Sequence, residues 1–203
     1  MLSANVVPLY TYRYYNRDAA SSYAKTYTNN NGDCSTTGYN SLFTNYAYNC
    51  NDCTIFASQA VWPGFGGIND STHINGMYQP MIAWDGMNPD WYATSSTTSS
   101  NWAGLQYFHS TVKDNWTYNR AGVQGYDGSV YVVEKGDIAI VGSDGHALVV
   151  TDATDSNGNG NTDYNEIKVS GHTNNRNDRP LSEIVVNPAE IGSYLYIIRW
   201  QAP

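Results

Sequence analysis

The chain has 203 residues, the usual size of one domain, and we expect residues 1–203 to form a single domain. Hydrophobic residues make up 41% of the chain and charged residues only 14%, so its composition fits neither a disordered chain nor a membrane protein. The 10 basic and 18 acidic residues give a net charge of −8, which excludes nucleic acid and anionic membranes as main partners.

The surface predicted from this composition is polar but uncharged, because Asn, Ser, Thr, Gly and 18 Tyr replace the missing charges. Such a surface is typical of secreted bacterial proteins, so we expect an extracellular, monomeric protein. Residues 1–4 lack the charged and apolar segments of a signal peptide, and we therefore interpret the sequence as a mature chain with an added Met.

The cysteines are Cys34, Cys50 and Cys53. In an oxidising compartment an odd number predicts one disulfide and one free thiol. A Cys34–Cys50 bridge would close a loop of about 15 residues, worth about 3 kcal/mol in the chain-entropy description, and leave Cys53 unpaired. A Cys50/Cys53 redox pair would need a thioredoxin-like context, and a zinc site would need a fourth ligand. The sequence shows neither.

Apolar spacing predicts three helices in the first half of the chain. Residues 18–27 place Ala and Tyr side chains on one stripe, with Asn16 or Asp18 as the cap. Residues 52–62 predict a buried helix with Asp52 as its N-cap, ending before Pro63. A third helix is expected around residues 102–112.

The period changes to that of strands in the second half. Strands are predicted at residues 137–141, 147–151, 167–170 and 194–200. Helices followed by a meander of strands predict an α+β fold with an antiparallel sheet.

Cys53 is the first candidate for chemistry, because the start of a helix stabilises a thiolate and offers backbone N–H groups to an oxyanion. His146 opens a strand after a glycine turn and could serve as its base. His172 ends the next strand, and alternation puts Asn174 on the same face, so either side chain could orient His146. The alternatives are a buried structural cysteine and a solvated turn histidine. His73 and His109 are interpreted as surface or packing residues.

The sequence resembles the bacterial putative amidase domain family, within the papain-like group that includes the NlpC-type and CHAP peptidoglycan hydrolases. The stretches that carry the resemblance follow one another over nearly the whole chain: residues 15–24, 52–60, 90–92 with 99–102, and 145–147 with 171–176 and 179–181.

The resemblance implies a papain-like fold, with Cys53 as nucleophile, His146 as base and His172 as orienting residue. It also implies hydrolysis of amide bonds in cell-wall peptides through a thioacyl intermediate, without a catalytic cofactor. Two other functions stay open: a protease or transglutaminase-like acyl transferase acting on protein or peptide amides, and a non-catalytic, calcium-stabilised module that binds glycans through Trp62, Trp84, Trp91, Trp102 and the many tyrosines.

A second motif is independent of catalysis. Residues 155–166 match the calcium-loop pattern D-x-[DN]-x-[DN]-G-x5-E at every fixed position. Because the flanking segments are predicted strands, the expectation is a weak, structural Ca²⁺ site in a hairpin loop, and the alternative is a plain hairpin turn. The candidate ligands are Asp155, Asn157, Asn159, Asn161, Asp163 and Glu166.

Overall fold

The structure, a computed structural model, describes residues 15–34, 38–44, 46, 50–64, 66–72, 91, 93–117, 126–128, 133–142, 145–185 and 196–199. Its helices are α1 (Arg17–Thr26), α2 (Cys53–Gly64), α3 (Ser100–Ala103) and α4 (Leu105–Thr117). Its strands are β1 (Tyr126–Gly128), β2 (Ile138–Val141), β3 (His146–Ala153), β4 (Ile167–Gly171), β5 (Arg176–Pro180) and β6 (Tyr196–Arg199). The predicted α+β class is confirmed.

The strands form one antiparallel sheet in the order β1-β6-β2-β3-β4-β5. Four of these strands were expected, and β1 and β5 were not. Strand β5 has the sequence Arg-Asn-Asp-Arg-Pro, which carries no apolar alternation, and it pairs only with β4 at the edge of the sheet. A charged edge strand that ends in proline is a usual protection against further strand pairing.

Each central strand contributes side chains to two apolar clusters, one on either face of the sheet. On one face Ala147 and Val149 pack with residues of α1 and α2. On the other face Leu148 and Val150 pack with side chains of β4 and of the 3₁₀ turn Leu181–Glu183. The period-2 alternation of β3 therefore places the sheet between the helices and a second apolar layer.

The first two helices follow the sequence closely. Asn16 caps α1, since its side-chain oxygen accepts a hydrogen bond from the backbone N–H of Ala19 at 3.0 Å. Helix α2 is buried along nearly its whole length, as the sequence predicted. The expected end before Pro63 is wrong, because α2 continues through Pro63 to Gly64.

The third predicted helix is divided in two. Gly104 ends α3, where its N–H donates to the carbonyl oxygen of Ser100 at 2.8 Å, and α4 begins at the next residue. Phe108 and Val112 are buried on one side of α4. In the part of the chain that the structure describes, no helix is both long enough and apolar enough to cross a membrane.

The start of α1 is attached to the sheet by Arg17. Its guanidinium donates to the carboxylate of Asp137 at 2.5 Å and to the carbonyl oxygen of Lys135 at 3.0 Å. The Asp137 side chain is completely buried, and it also accepts a hydrogen bond from the backbone N–H of Glu134 at 2.9 Å. Tyr15 adds a hydrogen bond to the carbonyl oxygen of Gly136 at 2.9 Å. These contacts fix α1 against the turn that begins β2.

Replacing Arg17 with Ala should lower the free energy of unfolding by about 3 kcal/mol, because it leaves the buried Asp137 carboxylate without its cation. The measurement is urea unfolding at pH 7. Arg179→Ala is the matched control, since Arg179 pairs with Glu183 on the surface at 2.5 Å and such pairs contribute about 1 kcal/mol or less. Equal losses in the two variants would contradict the structural role of Arg17.

Candidate active site

Cys53 is the first residue of α2, as the sequence predicted. Cys34 and Cys50 form a disulfide, which confirms the predicted pairing, and Cys53 is free and 8% exposed. The nearest polar side-chain atom recorded for its Sγ in the described part is Thr54 Oγ1 at 3.9 Å. The first turn of a helix has N–H groups without intrahelical acceptors, so a negative charge on this sulfur would lie where such donors are concentrated.

Asp52 directly precedes α2, but its carboxylate does not cap the helix as predicted. One oxygen accepts a hydrogen bond from the Tyr39 hydroxyl at 3.1 Å, and the other lies 2.8 Å from Nδ1 of His172. Only its main-chain carbonyl belongs to the helix, accepting from the N–H of Phe56 at 2.9 Å. The carboxylate next to the candidate nucleophile is therefore a buried tertiary contact.

His172 is 1% exposed and has an acceptor at each ring nitrogen. Nδ1 faces Asp52, and Nε2 lies 2.7 Å from the carbonyl oxygen of Tyr27, just after α1. A carbonyl oxygen and an ionised carboxylate both accept, so the pair holds a proton on each ring nitrogen, or one on the ring and one on the carboxyl. The imidazole lies against the rings of Tyr39 and Phe56, at centroid distances of 3.7 and 4.1 Å.

Asn174 does not share this environment. Strand β4 ends at Gly171, and Thr173 and Asn174 have φ angles of 64° and 63° in the turn that leads to β5. Alternation therefore does not extend beyond Gly171, and Asn174 is exposed whereas His172 is buried. The expectation that both lie on one face is wrong. The Thr173 hydroxyl instead accepts from the N–H of Asp52 at 3.3 Å, which ties the turn to the start of α2.

His146 is the first residue of β3 and follows Gly145, which has a φ of 68°. This positive φ favours glycine, and a Cβ at position 145 would also lie 2.5 Å from Cδ2 of Leu105, so that side chain would have to move. Nε2 of His146 lies 3.4 Å from an N–H of Arg176. Since a guanidinium only donates, Nε2 carries the lone pair and Nδ1 the proton in this arrangement.

The environment of His146 keeps its imidazole neutral. Burial, followed by the positive charge of Arg176, lowers its pKa from 6.5 to about 4, and the Asp52 carboxylate opposes them. The effect of Asp52 indicates that its carboxylate, directly before Cys53, is close enough to His146 to raise the pKa of the ring. Regular alternation in β3 would place His146 on the same face as Leu148, away from α2. The His146 side chain can therefore approach the thiol only because it lies at the end of the strand.

The structure brings the predicted residues to the same end of the sheet but connects them differently. His172 is bonded to Asp52 and Tyr27, and His146 is bonded to Arg176. Sequence reasoning assigned no site role to Asp52 or Arg176. The available signal was an acidic residue directly before Cys53. His109 lies in α4 and is half-buried, as expected, and His73 lies outside the described residues.

The comparison with family models matches a putative amidase domain over residues 14–196. The chain belongs to this family. A search of curated proteins and a search of solved structures find no significant match. The amidase assignment covers the free cysteine and both histidines, and it agrees with the resemblance of the separate sequence stretches. It supports action on an amide bond without identifying the bond.

The aromatic side chains proposed as a glycan surface are mostly internal to this amidase domain. Trp62 and Trp91 are each 1% exposed, and Trp102 is fully buried. Trp91 and Trp102 lie in contact, with a centroid distance of 4.4 Å, and all three belong to the cluster between the helices and the sheet. Buried indoles cannot stack on a sugar, so the glycan-binding interpretation is wrong for these three. Trp84 lies outside the described residues.

The loop matching the calcium pattern is held by hydrogen bonds among its own residues. Glu166 Oε1 accepts from the N–H and hydroxyl of Ser156 and from the N–H of Asn157, and Oε2 accepts from the N–H of Asp163. The Asp155 carboxylate accepts from three further backbone N–H groups. Within the described ranges, no three His, Cys, Asp or Glu side chains form a group that could hold a metal.

Calcium at this loop stays a prediction, and the structure adds a condition to it. With three donors, Oε1 of Glu166 has no lone pair left for a metal, so bidentate binding would require Glu166 to exchange these bonds for the ion. Asn161, the remaining candidate ligand, is exposed, and its backbone N–H donates to the side chain of Asn159 at 2.8 Å.

The ionisation of His146 can be followed by NMR titration of its ring in the Cys53→Ala variant. We expect a pKa of about 4. In the unfolded state the His146 imidazole is protonated near pH 6.5, whereas in the folded state it is protonated only near pH 4. The free energy of unfolding is therefore unaffected by this group above pH 6.5 and decreases as the pH falls from 6.5 towards 4. A ring that titrates at 6.5 in the folded protein would contradict the described environment.

Hydrogen bonds to the Glu166 carboxylate lower its pKa below the ordinary value of 4.5, and the bond from the Ser156 hydroxyl has the largest effect. Its ionised form therefore stabilises the fold above pH 4.5, and this contribution is lost as the pH falls further. We expect the Glu166→Gln variant to have a lower melting temperature than the wild type at pH 7. In acid the two melting temperatures should become similar. Melting curves from pH 7 to 3 measure this, with Glu183→Gln as an exposed control. A constant difference would count against the role of the charge.

Proposed function

We propose that this amidase domain is a papain-like cysteine hydrolase in which Cys53 is the nucleophile. The observation that carries the proposal is a free thiol at the first residue of a buried helix, directly after Asp52. The Asp52 carboxylate contacts His172 at 2.8 Å, and its charge acts on His146. In this group of enzymes the protein supplies the thiolate, the base and the oxyanion donors, and no metal takes part.

His146 is the proposed base. Its neutral imidazole at pH 7 can accept the thiol proton, provided that the ring turns a nitrogen lone pair towards Sγ. The thiolate then attacks the carbonyl carbon of the amide, and the C–N bond breaks as the amine leaves with the proton from His146. Water, deprotonated by His146, hydrolyses the resulting thioester and restores the thiol. N–H groups at the start of α2 are the candidate donors to the oxyanion.

His172 and Asp52 are proposed as positioning residues. Neither ring nitrogen of His172 is available to a substrate, because both are bonded to protein acceptors. The pair instead fixes the residue before Cys53 against the turn after β4, and so determines where the thiol lies. This differs from the expected role of His172, which was to orient His146 directly.

The proposed substrate is a peptide amide, with bacterial cell-wall peptides as the preferred class and an extracellular site of action. The Cys34–Cys50 disulfide supports the location, since such bonds persist in oxidising compartments. A protein or small-peptide amide is the second candidate. Transfer of the acyl group to an amine would follow the same first half-reaction, and adding glycine amide to the assay separates transfer from hydrolysis.

The first test is alkylation with iodoacetamide at pH 6, followed by peptide mass spectrometry. We expect Cys53 to react about tenfold faster than glutathione, because the start of the helix stabilises negative charge on sulfur. Cys34 and Cys50 should be recovered as a linked pair. Screening of peptidoglycan fragments should then give products that are absent with Cys53→Ala.

His146→Ala is the informative variant, and His109→Ala is its matched control on a helix outside the site. Loss of turnover in the first and retention in the second is expected. A Cys53 that reacts no faster than glutathione in the folded protein, or turnover that persists in Cys53→Ala, would refute the cysteine mechanism.

A further inference from the structure

Arg176 differs from most of the cations that the structure describes, because no ion pair with a described carboxylate is recorded for it. Most lysines and arginines with described side chains lie within 4.0 Å of a carboxylate: Arg17, Lys25, Lys135, Lys168 and Arg179. Within the described ranges, the one polar contact recorded for the Arg176 guanidinium is the ring of His146. A half-buried positive charge against a neutral ring is an unusual arrangement in a chain of net charge −8.

The sheet explains how this side chain reaches the candidate base. Arg176 begins β5 and is paired in register with Gly171 on β4. The Arg176 side chain spans β4, because Nη1 lies 3.4 Å from Nε2 of His146 at the start of β3, which is the next strand beyond β4 in the sheet. One N–H of the guanidinium is directed at Nε2 of His146, and four further N–H groups remain on a planar group suited to binding a carboxylate.

The carboxylate whose charge acts on Arg176 does not pair with it. Glu183 acts on Arg176 from a distance, but its carboxylate is bonded to Arg179 at 2.5 and 2.8 Å. Burial lowers the pKa of Arg176, which shows that its charge is partly removed from water. In the described part of the chain no anion pairs with this partly desolvated guanidinium. A carboxylate bound there would gain more than it does on the surface.

We propose that Arg176 binds a carboxylate of the substrate beside the scissile amide. The proposal deepens the function proposed above and rests on it, because it places this subsite next to the base that serves Cys53. The carboxylate is either the free C-terminus of a short peptide or an acidic side chain flanking the bond. An acidic protein repels such substrates at long range, so a local cation is what allows them to be selected.

The first experiment compares alkylation of Cys53 by iodoacetate and by iodoacetamide, a carboxylate and its neutral isostere. In both reactions the thiolate forms a C–S bond to the methylene carbon, the C–I bond breaks and iodide leaves. We expect the ratio of the two rates, iodoacetate over iodoacetamide, to exceed the glutathione ratio about tenfold, as one charge-assisted contact would give. General changes in thiol reactivity cancel in this ratio.

Arg176→Gln should return the ratio to that of glutathione, and Arg176→Lys should keep part of it, since lysine is a point charge without the planar donor pair. Arg179→Gln is the matched control, because it removes the same charge from the same strand and should leave the ratio unchanged. Melting curves establish that each variant is folded. Arg176→Met preserves the aliphatic packing if the Gln variant does not fold.

The second measurement needs no reaction. Calorimetry with Cys53→Ala compares N-acetyl-Ala-Ala with its C-terminal amide, and N-acetyl-Ala-Glu amide with N-acetyl-Ala-Gln amide. We expect about tenfold tighter binding of the carboxylate form in one pair, which also identifies the source of the carboxylate. Equal binding within both pairs would overturn the proposal. If Cys53 reacts rapidly but its ratio of iodoacetate to iodoacetamide rates equals that of glutathione, the carboxylate site is also refuted. The proposed cysteine mechanism would not be affected by that result.

If neither alkylating agent reacts rapidly with Cys53, the proposed cysteine mechanism fails and the peptide pairs alone decide the carboxylate site. The two hypotheses therefore fail separately.

Discussion

The buried contact between Asp52 and His172 is the interaction on which the site depends. It joins the start of α2 to the turn after β4, and the other ring nitrogen of His172 extends the connection to the residue after α1. Two ionisable groups removed from water lose much of their hydration, and only close geometry and further hydrogen bonds recover that loss. Tyr39 and the carbonyl of Tyr27 supply those bonds. The place of Cys53 in the fold follows from this set of contacts.

The two histidines illustrate how neighbouring groups separate the roles of identical side chains. His172 faces a carboxylate and a carbonyl, so its protons are held in place and it acts as structure. His146 faces a guanidinium, which disfavours a second positive charge and keeps the ring neutral. A ring in the first environment is suited to fixing an element, and a ring in the second stays unprotonated at neutral pH. Asp52 directly precedes α2, and Arg176 directly follows the turn between β4 and β5.

Local patterns predicted the parts of the fold that depend on neighbours in sequence. The cap and stripe of α1, the buried helix α2, the four apolar strands and the disulfide all follow from spacing and residue type. Strand β5 could not be predicted, because its pairing is imposed by β4 rather than by its own apolar residues. The shared face of His172 and Asn174 was expected from regular alternation, which the left-handed turn interrupts. The partner of Asp52 lies 120 residues away, and no local pattern encodes such a contact.

The disulfide has a practical consequence through the segment that it closes. Tyr39 lies between Cys34 and Cys50, where its hydroxyl bonds to Asp52 and its ring covers His172. Asn40 in the same segment donates to the hydroxyl of Tyr23 on α1 at 3.1 Å. Dithiothreitol, which is customarily added to protect the thiol of cysteine enzymes, would open the loop that holds these side chains. For this protein the additive that preserves the nucleophile would loosen its surroundings, so the choice of buffer is itself a structural variable.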